Sequence, residues 1–173
     1  VTYSSQASFP VAVGPDLTFN GGSDAFIAKL NAAGTGFLYC GYIGGSGYES
    51  GTCVALDGSG NAYAMGTTGS DETTFPVLDG PGLTYQGSPD LFVAKVLPSG
   101  SALAYCGYVG GGGEEFAGGI AVDAAGSAYI SGSAENGSAG DLPVLIGPDF
   151  TFNGGLYDAF VAKVSGSSWI KVA

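Results

Sequence analysis

The chain has no histidine and no arginine, and its 4 basic residues are all lysines. Without an imidazole the usual proton carrier near neutral pH is missing, and no base, nucleophile and orienting acid stand together as nucleophilic hydrolysis requires. A hydrolase would have to work with acidic pairs alone, and the sequence shows no positioned acid and base. Against 15 acidic residues the lysines leave a net charge of −11. That sign repels phosphate backbones and anionic lipid, so neither nucleic acid nor a membrane surface is an expected partner. Only 3 cysteines occur, Cys40, Cys53 and Cys106. Their number is odd and their spacing is not that of a metal site, so they read as small apolar strand residues without a disulfide. Glycine interrupts every apolar run before it reaches membrane-spanning length, which excludes insertion by a helix. No stretch carries apolar residues at helical spacing, and the Gly and Pro density would break one that did, so helix is not expected. There is no signal peptide, and the chain opens on Val1 rather than methionine. A processed product or an excised fragment is therefore expected.

What the chain does contain is glycine, 33 residues, with 10 Tyr and 10 Phe. Glycine at this level also suits a disordered, low-complexity chain, but aromatics at recurring positions argue for a packed core. The recurrence is plain. Asp24-Ala25-Phe26-Ile27-Ala28-Lys29-Leu30 returns as Asp90-Leu91-Phe92-Val93-Ala94-Lys95-Val96 and again as Asp158-Ala159-Phe160-Val161-Ala162-Lys163-Val164, intervals of 66 and 68 residues. Leu38-Tyr39-Cys40-Gly41-Tyr42-Ile43 returns as Ala104-Tyr105-Cys106-Gly107-Tyr108-Val109, and Phe9-Pro10-Val11 as Phe75-Pro76-Val77 and Leu142-Pro143-Val144. A period this long holds a whole supersecondary unit that packs on its neighbours.

Within one period the pattern is that of short strands. Residues 24–30 alternate with both faces largely apolar, which predicts a strand covered on both sides. Residues 37–43 form a second strand, 44–51 a loop and 53–57 a short buried strand. Gly58-Ser59-Gly60 then makes a hairpin turn, since glycine accepts positive φ, and 61–67 pairs back. Residues 68–89 are a long connection before the cycle restarts. Each repeat thus predicts four short antiparallel strands, the unit of a β-propeller blade. The expected division is 1–50 as a partial blade, 51–116 as a full blade and 117–173 as a full or nearly full one.

Several blocks carry a family likeness. Gly119-Ile120-Ala121-Val122-Asp123, followed by Gly126-Ser127-Ala128-Tyr129-Ile130-Ser131-Gly132, Leu142-Pro143-Val144 and the stretch from Asp158 to Val164, closely resembles the bacterial SBBP repeat, named for seven-bladed β-propellers. Tyr105-Cys106-Gly107-Tyr108-Val109-Gly110-Gly111 matches that family's aromatic, glycine-ended strand. The resemblance implies a propeller in a secreted or surface-exposed bacterial protein. It implies no established activity and supplies no catalytic residue. By analogy with related propellers, strands 53–57 and 119–123 would be innermost, with 61–67, 90–96 and 102–109 following outward. Propellers close with about four to eight blades, so this chain is not expected to close alone.

The candidate sites follow from the same pattern. Glu49, and Glu114 with Glu115, stand in glycine-rich loops between blades, where a cation such as calcium would find carboxylates. No other cofactor is expected. Asp57-Gly58-Ser59-Gly60-Asn61 has some calcium-loop character but lacks a downstream bidentate glutamate, and reads as a turn. Tyr42 and Tyr108, with Tyr39 and Tyr105, would suit either carbohydrate stacking or packing between blades, and their strict repetition favours packing. Lys29, Lys95 and Lys163 should extend over a neighbouring strand or pair with an acid. Asn136-Gly137-Ser138 meets the glycosylation pattern. Val1, Thr2 and Tyr3 at one end, and Trp169, Ile170 and Val172 at the other, are candidate assembly edges, because an uncovered strand is a template for pairing. The expected partner is therefore a second copy of the chain, in a ring or filament, or further blades of a longer polypeptide. Such a module would serve a structural or interaction role at the cell surface, with a carbohydrate- or calcium-binding module as the alternative.

Overall fold

The computed structural model describes residues 1–87, 89–135, 153–165 and, for their backbone, 168–171. The Asn136 sequon, the Leu142-Pro143-Val144 copy and Val172 lie outside the described residues. Among the described residues the chain is all-β, with antiparallel sheets and no helix. Strands β1 (Ala25–Leu30) and β2 (Phe37–Ile43) pair alone as the first sheet. A second, four-stranded sheet contains β3 (Glu49–Leu56), β4 (Ala62–Thr68), β5 (Asp90–Val96) and β6 (Leu103–Val109) in chain order. A third contains β7 (Glu115–Val122), β8 (Ala128–Glu135), β9 (Tyr157–Ser165) and β10 (Ser168–Lys171), again in chain order. The sheets do not close into a ring.

The sequence repeat is reproduced pair by pair. Phe92 lies opposite Gly66 in the second sheet and Phe160 opposite Gly132 in the third. A bulge falls between Gly51 and Cys53 in β3, and its counterpart between Ala117 and Gly119 in β7. The hairpin after β3 closes through the Gly60 amide donating to the Asp57 carbonyl at 3.0 Å, with Gly60 at φ 82°. Gly126 does the same after β7 with Asp123, at φ 79°. A side chain at that φ would be strained, which is why glycine closes both loops.

The long connections are ordered along the outer strands. The Ala12 amide donates to the Cys40 carbonyl and the Tyr42 amide to the Asp16 carbonyl; one repeat later Leu78 and Cys106 exchange both bonds and the Tyr108 amide donates to the Gly82 carbonyl. The outer edges of β2 and β6 are thereby covered, and strand addition there is blocked. At the amino end, Thr2 exchanges both backbone bonds with Asp24, at 2.8 and 3.0 Å. Thr2 is buried and so does not serve as a bare edge, while Val1 and Tyr3 are exposed. At the other end Trp169 and Ile170 pair with Val164 and Lys163 of β9, which makes β10 the edge strand of the third sheet.

Two apolar clusters hold the sheets together. One joins Ala25, Ile27 and Ile43 of the first sheet to Phe92, Ala94 and Val96 of the second. The other joins Met65, Leu91 and Val93 of the second to Ile130, Phe160 and Val164 of the third. Covered on both faces, β5 is buried along its length apart from Lys95.

Two expectations are corrected here. The strand expected over 53–57 begins at Glu49, and its Val54 and Leu56 are exposed, because the first sheet has only two strands and leaves that face of β3 uncovered, while Cys53 packs toward the third sheet. The face of β1 that carries Phe26, Ala28 and Leu30 is likewise open, with Phe26 42% exposed where Phe92 is fully buried. The cause is the same: burial of a sheet face requires a neighbouring sheet.

Candidate functional site

Three features recur along the chain: an aromatic cluster, a hairpin turn built on an aspartate, and a carboxyl pair. In the first copy the Phe9 ring lies 5.1 Å from both Phe26 and Tyr42, and Phe19 lies 5.9 Å from Tyr42. In the second, Phe75 lies 5.5 Å from both Phe92 and Tyr108, and Tyr85 lies 5.8 Å from Tyr108. Tyr42 donates through its hydroxyl to the Ser4 carbonyl at 2.9 Å, and Tyr108 to the Ser70 carbonyl at 3.0 Å. Both rings are buried. They present no face to a sugar and instead anchor the connections to the strands, since a buried phenol needs both apolar contact and a hydrogen-bond partner.

The Asp57 turn is self-contained. Its carboxylate accepts from the Ser59 and Asn61 amides, both at 2.9 Å, from the Asn61 side chain at 2.7 Å and from the Tyr63 hydroxyl at 3.1 Å. Partial burial alone would raise its pKa, but these donors outweigh it and hold the group below the usual carboxylate range. Lys95 completes the arrangement, its Nζ 3.6 Å from Asp57 and 4.8 Å from the Tyr63 ring centre. Asp123, Tyr129 and Lys163 repeat it, with a 3.5 Å ion pair. The Tyr63 hydroxyl also reaches the Gly126 carbonyl of the next hairpin at 2.8 Å. Tyr63→Phe removes this bond together with the one to Asp57 while keeping the ring, and is expected to cost about 1 kcal/mol or more in a urea melt. An unchanged midpoint would assign the tie no weight.

The glutamates are placed differently from expectation. Glu49 and Glu115 are the first residues of β3 and β7, not loop residues, and each is only 1% exposed. Glu114 alone is exposed. Its amide approaches the Glu135 carboxylate at 3.3 Å and its carbonyl accepts from the Glu135 amide at 2.9 Å. What the three have in common in the sequence is therefore split by the alternation of a strand, which sends Glu115 inward and leaves Glu114 in solvent.

The missed partners are the aspartates that open the repeated strand. Asp24 and Asp90 are fully buried, each accepting an amide from a residue shortly upstream, Asn20 at 3.1 Å and Gln86 at 3.0 Å. Asp158 repeats the cap with the Asn153 amide at 2.7 Å. Asp24 faces Glu49, and burial, reinforced by that neighbouring carboxylate, raises its pKa to about 6. Burial likewise raises Asp90 to about 6, and burial together with Asp90 raises Glu115 to about 8. The signal was available: aspartate and glutamate are separated by the same 25 residues in both copies, from Asp24 to Glu49 and from Asp90 to Glu115.

The two pairs differ in their donors. Glu49 accepts from the Gly45 amide at 2.8 Å, the Thr68 hydroxyl at 2.8 Å and the Ser70 hydroxyl at 2.7 Å. At Glu115 the residue opposite is Ala134 where Glu49 has Thr68. Among the described residues neither Glu115 oxygen reaches a hydrogen-bond partner, nor does Asp90 Oδ1, whereas in the first pair only Asp24 Oδ1 lacks one. The cysteines Cys40, Cys53 and Cys106 are free. Among the described residues no three His, Cys, Asp or Glu side chains gather as a metal centre, and no helix is long and apolar enough to cross a membrane. Compared with known proteins, the chain matches no family model and no curated protein.

Proposed function

We propose that this chain is a structural and protein-interaction module built of propeller-type repeats, acting outside a bacterial cell by stacking its end sheets onto further sheets of the same kind. The observation that carries this reading is the pair of open apolar faces. Phe26 and Leu30 on the first sheet are exposed, and so are Phe116 and Val161 on the third. Val161 is the counterpart of Val93, which packs between the second and third sheets, and Phe26 is the counterpart of Phe92, which packs toward the first. The open faces are thus the two halves of an interface the chain already makes internally, and apolar surface of this kind marks an association site. Head-to-tail contact gives a ring where the rotation closes and a filament where it does not. The resemblance to the SBBP repeat supports the propeller geometry and the extracellular setting.

Intact mass followed by sedimentation tests the reading. At micromolar concentration the 17.0 kDa chain is expected to sediment as an oligomer, unless intact mass shows it to be joined to further repeats. Val161→Glu, which puts a charge on the open face, is expected to return it to monomer with its fold intact. A wild-type chain of this mass that remains a folded monomer would refute the proposal.

A further inference from the structure

The unsatisfied junction between the second and third sheets is a different kind of feature from the end faces, and it does not depend on association. Asp90 and Glu115 are 0% and 1% exposed. Among the described residues three of their oxygens, Asp90 Oδ1 and both Glu115 oxygens, have no hydrogen-bond partner. Burying ionised carboxylate without compensation is expensive, so such groups are paired, protonated or bound to metal. The described lysines near the junction are engaged elsewhere, Lys95 with Asp57 and Lys163 with Asp123. The Gly111 amide faces Glu115 and favours its charged form, but stops short of hydrogen-bond geometry.

The space between the two groups is shaped by Gly110. A Cβ there would meet Asp90 Oδ1 and Glu115 Oε2, each at 2.6 Å. The two oxygens are therefore at most twice that distance apart, within the span that one calcium ion bridges at about 2.3–2.6 Å per oxygen. We infer that Asp90 and Glu115 form a site for a single hard divalent cation of the calcium class. A proton shared between the groups would satisfy two of the three free oxygens and leave the third orphaned. A cation held by Asp90 Oδ1 and bidentately by Glu115 satisfies all three and balances both charges. The junction one repeat earlier differs at its glutamate: there the Thr68 and Ser70 hydroxyls and the Gly45 amide saturate Glu49, and among the described residues only Asp24 Oδ1 lacks a partner, so one oxygen rather than three is left for a cation. The counterpart of Ser70, Asn136, lies outside the described residues; the change shown at Glu115 is Thr68 to Ala134.

The test is a thermal melt of the full chain, first stripped with chelator and then titrated with calcium chloride. The wild-type midpoint is expected to rise saturably, by about 5–10 °C at a hundredfold excess over Kd. Glu115→Gln should abolish the rise, and Glu49→Gln should keep it. Should Glu115→Gln fail to fold, Ala134→Thr serves: it supplies the hydroxyl that Thr68 gives Glu49, and should raise the calcium-free midpoint while shrinking the response. Three results overturn the inference. One is a wild-type midpoint indifferent to calcium that falls as pH rises from about 6 to 8, which assigns the pair a proton, because acids with raised pKa values lose their stabilising protonated form over that range. The others are a calcium response that survives Glu115→Gln, or one that Glu49→Gln removes.

Discussion

Replacing Phe92 with alanine is expected to destabilise the fold by about 3–5 kcal/mol, the range for deleting a large aromatic from a core that cannot collapse around the gap. The ring is fully buried, lies 5.5 Å from Phe75, and belongs to the cluster that joins the first two sheets. Its loss opens a cavity between two rigid sheets whose backbones are fixed by ladder hydrogen bonds, so relaxation is small. Phe26→Ala, at the same position of the previous repeat, should cost under about 1 kcal/mol, since a side chain 42% exposed has given up much less of its hydration. Chemical denaturation of the two variants measures the contrast directly. Equal costs would mean that the first sheet is covered as the second is, and a Phe92→Ala cost under about 1 kcal/mol would rule out the packing of β5.

Gly66→Ala is expected to cost about 1–3 kcal/mol or more, the range for overpacking. A Cβ on Gly66 would stand 2.0 Å from the Ser50 carbonyl oxygen and 2.9 Å from both the Gly51 Cα and the Phe92 ring. Two of these three obstacles are backbone, at the bulge in β3, and backbone there cannot swing aside as a side-chain tip can. The arrangement recurs at Gly132, which would meet the Phe116 carbonyl at 2.4 Å and the Phe160 ring at 2.9 Å. In both sheets an aromatic on one strand covers a glycine on the next, which shields a position that would otherwise expose backbone. A guanidinium melt of Gly66→Ala checks this, with Gly58→Ala as the control, because a Cβ on Gly58 meets nothing within 4 Å. A Gly66→Ala midpoint no lower than the control's would show that β3 and β4 separate easily.

Local structure was legible from the residues alone because it depends on near neighbours. The alternation in Asp90–Val96 marks a strand whatever lies beside it, Gly60 and Gly126 mark turns because only glycine takes their φ cheaply, and the repeat carries each assignment to the next copy. Strand order within the second sheet is expected by analogy with related propellers, and short hairpins account only for the pairs β3–β4 and β5–β6, since a long connection joins β4 to β5. Lys95 and Lys163 are expected to extend over a neighbouring strand or to pair with an acid, because a lysine in an apolar strand must carry its charge to a partner or to water, and they pair with Asp57 and Asp123.

Burial was decided by the tertiary structure, since it depends on what stands across a face and no local pattern records that. Phe26, Phe92 and Phe160 occupy equivalent places in nearly identical stretches, yet they are 42%, 0% and 5% exposed, because only the first lacks a sheet in front of it. Glu49 and Glu115 read as loop carboxylates open to a cation because charge and glycine together usually mean a surface loop. The structure starts their strands earlier and turns both inward against aspartates 25 residues upstream. The same holds for Thr68 and Ala134: a hydroxyl exchanged for a methyl is unremarkable along the chain, and acquires meaning only because each lies directly across from a buried glutamate.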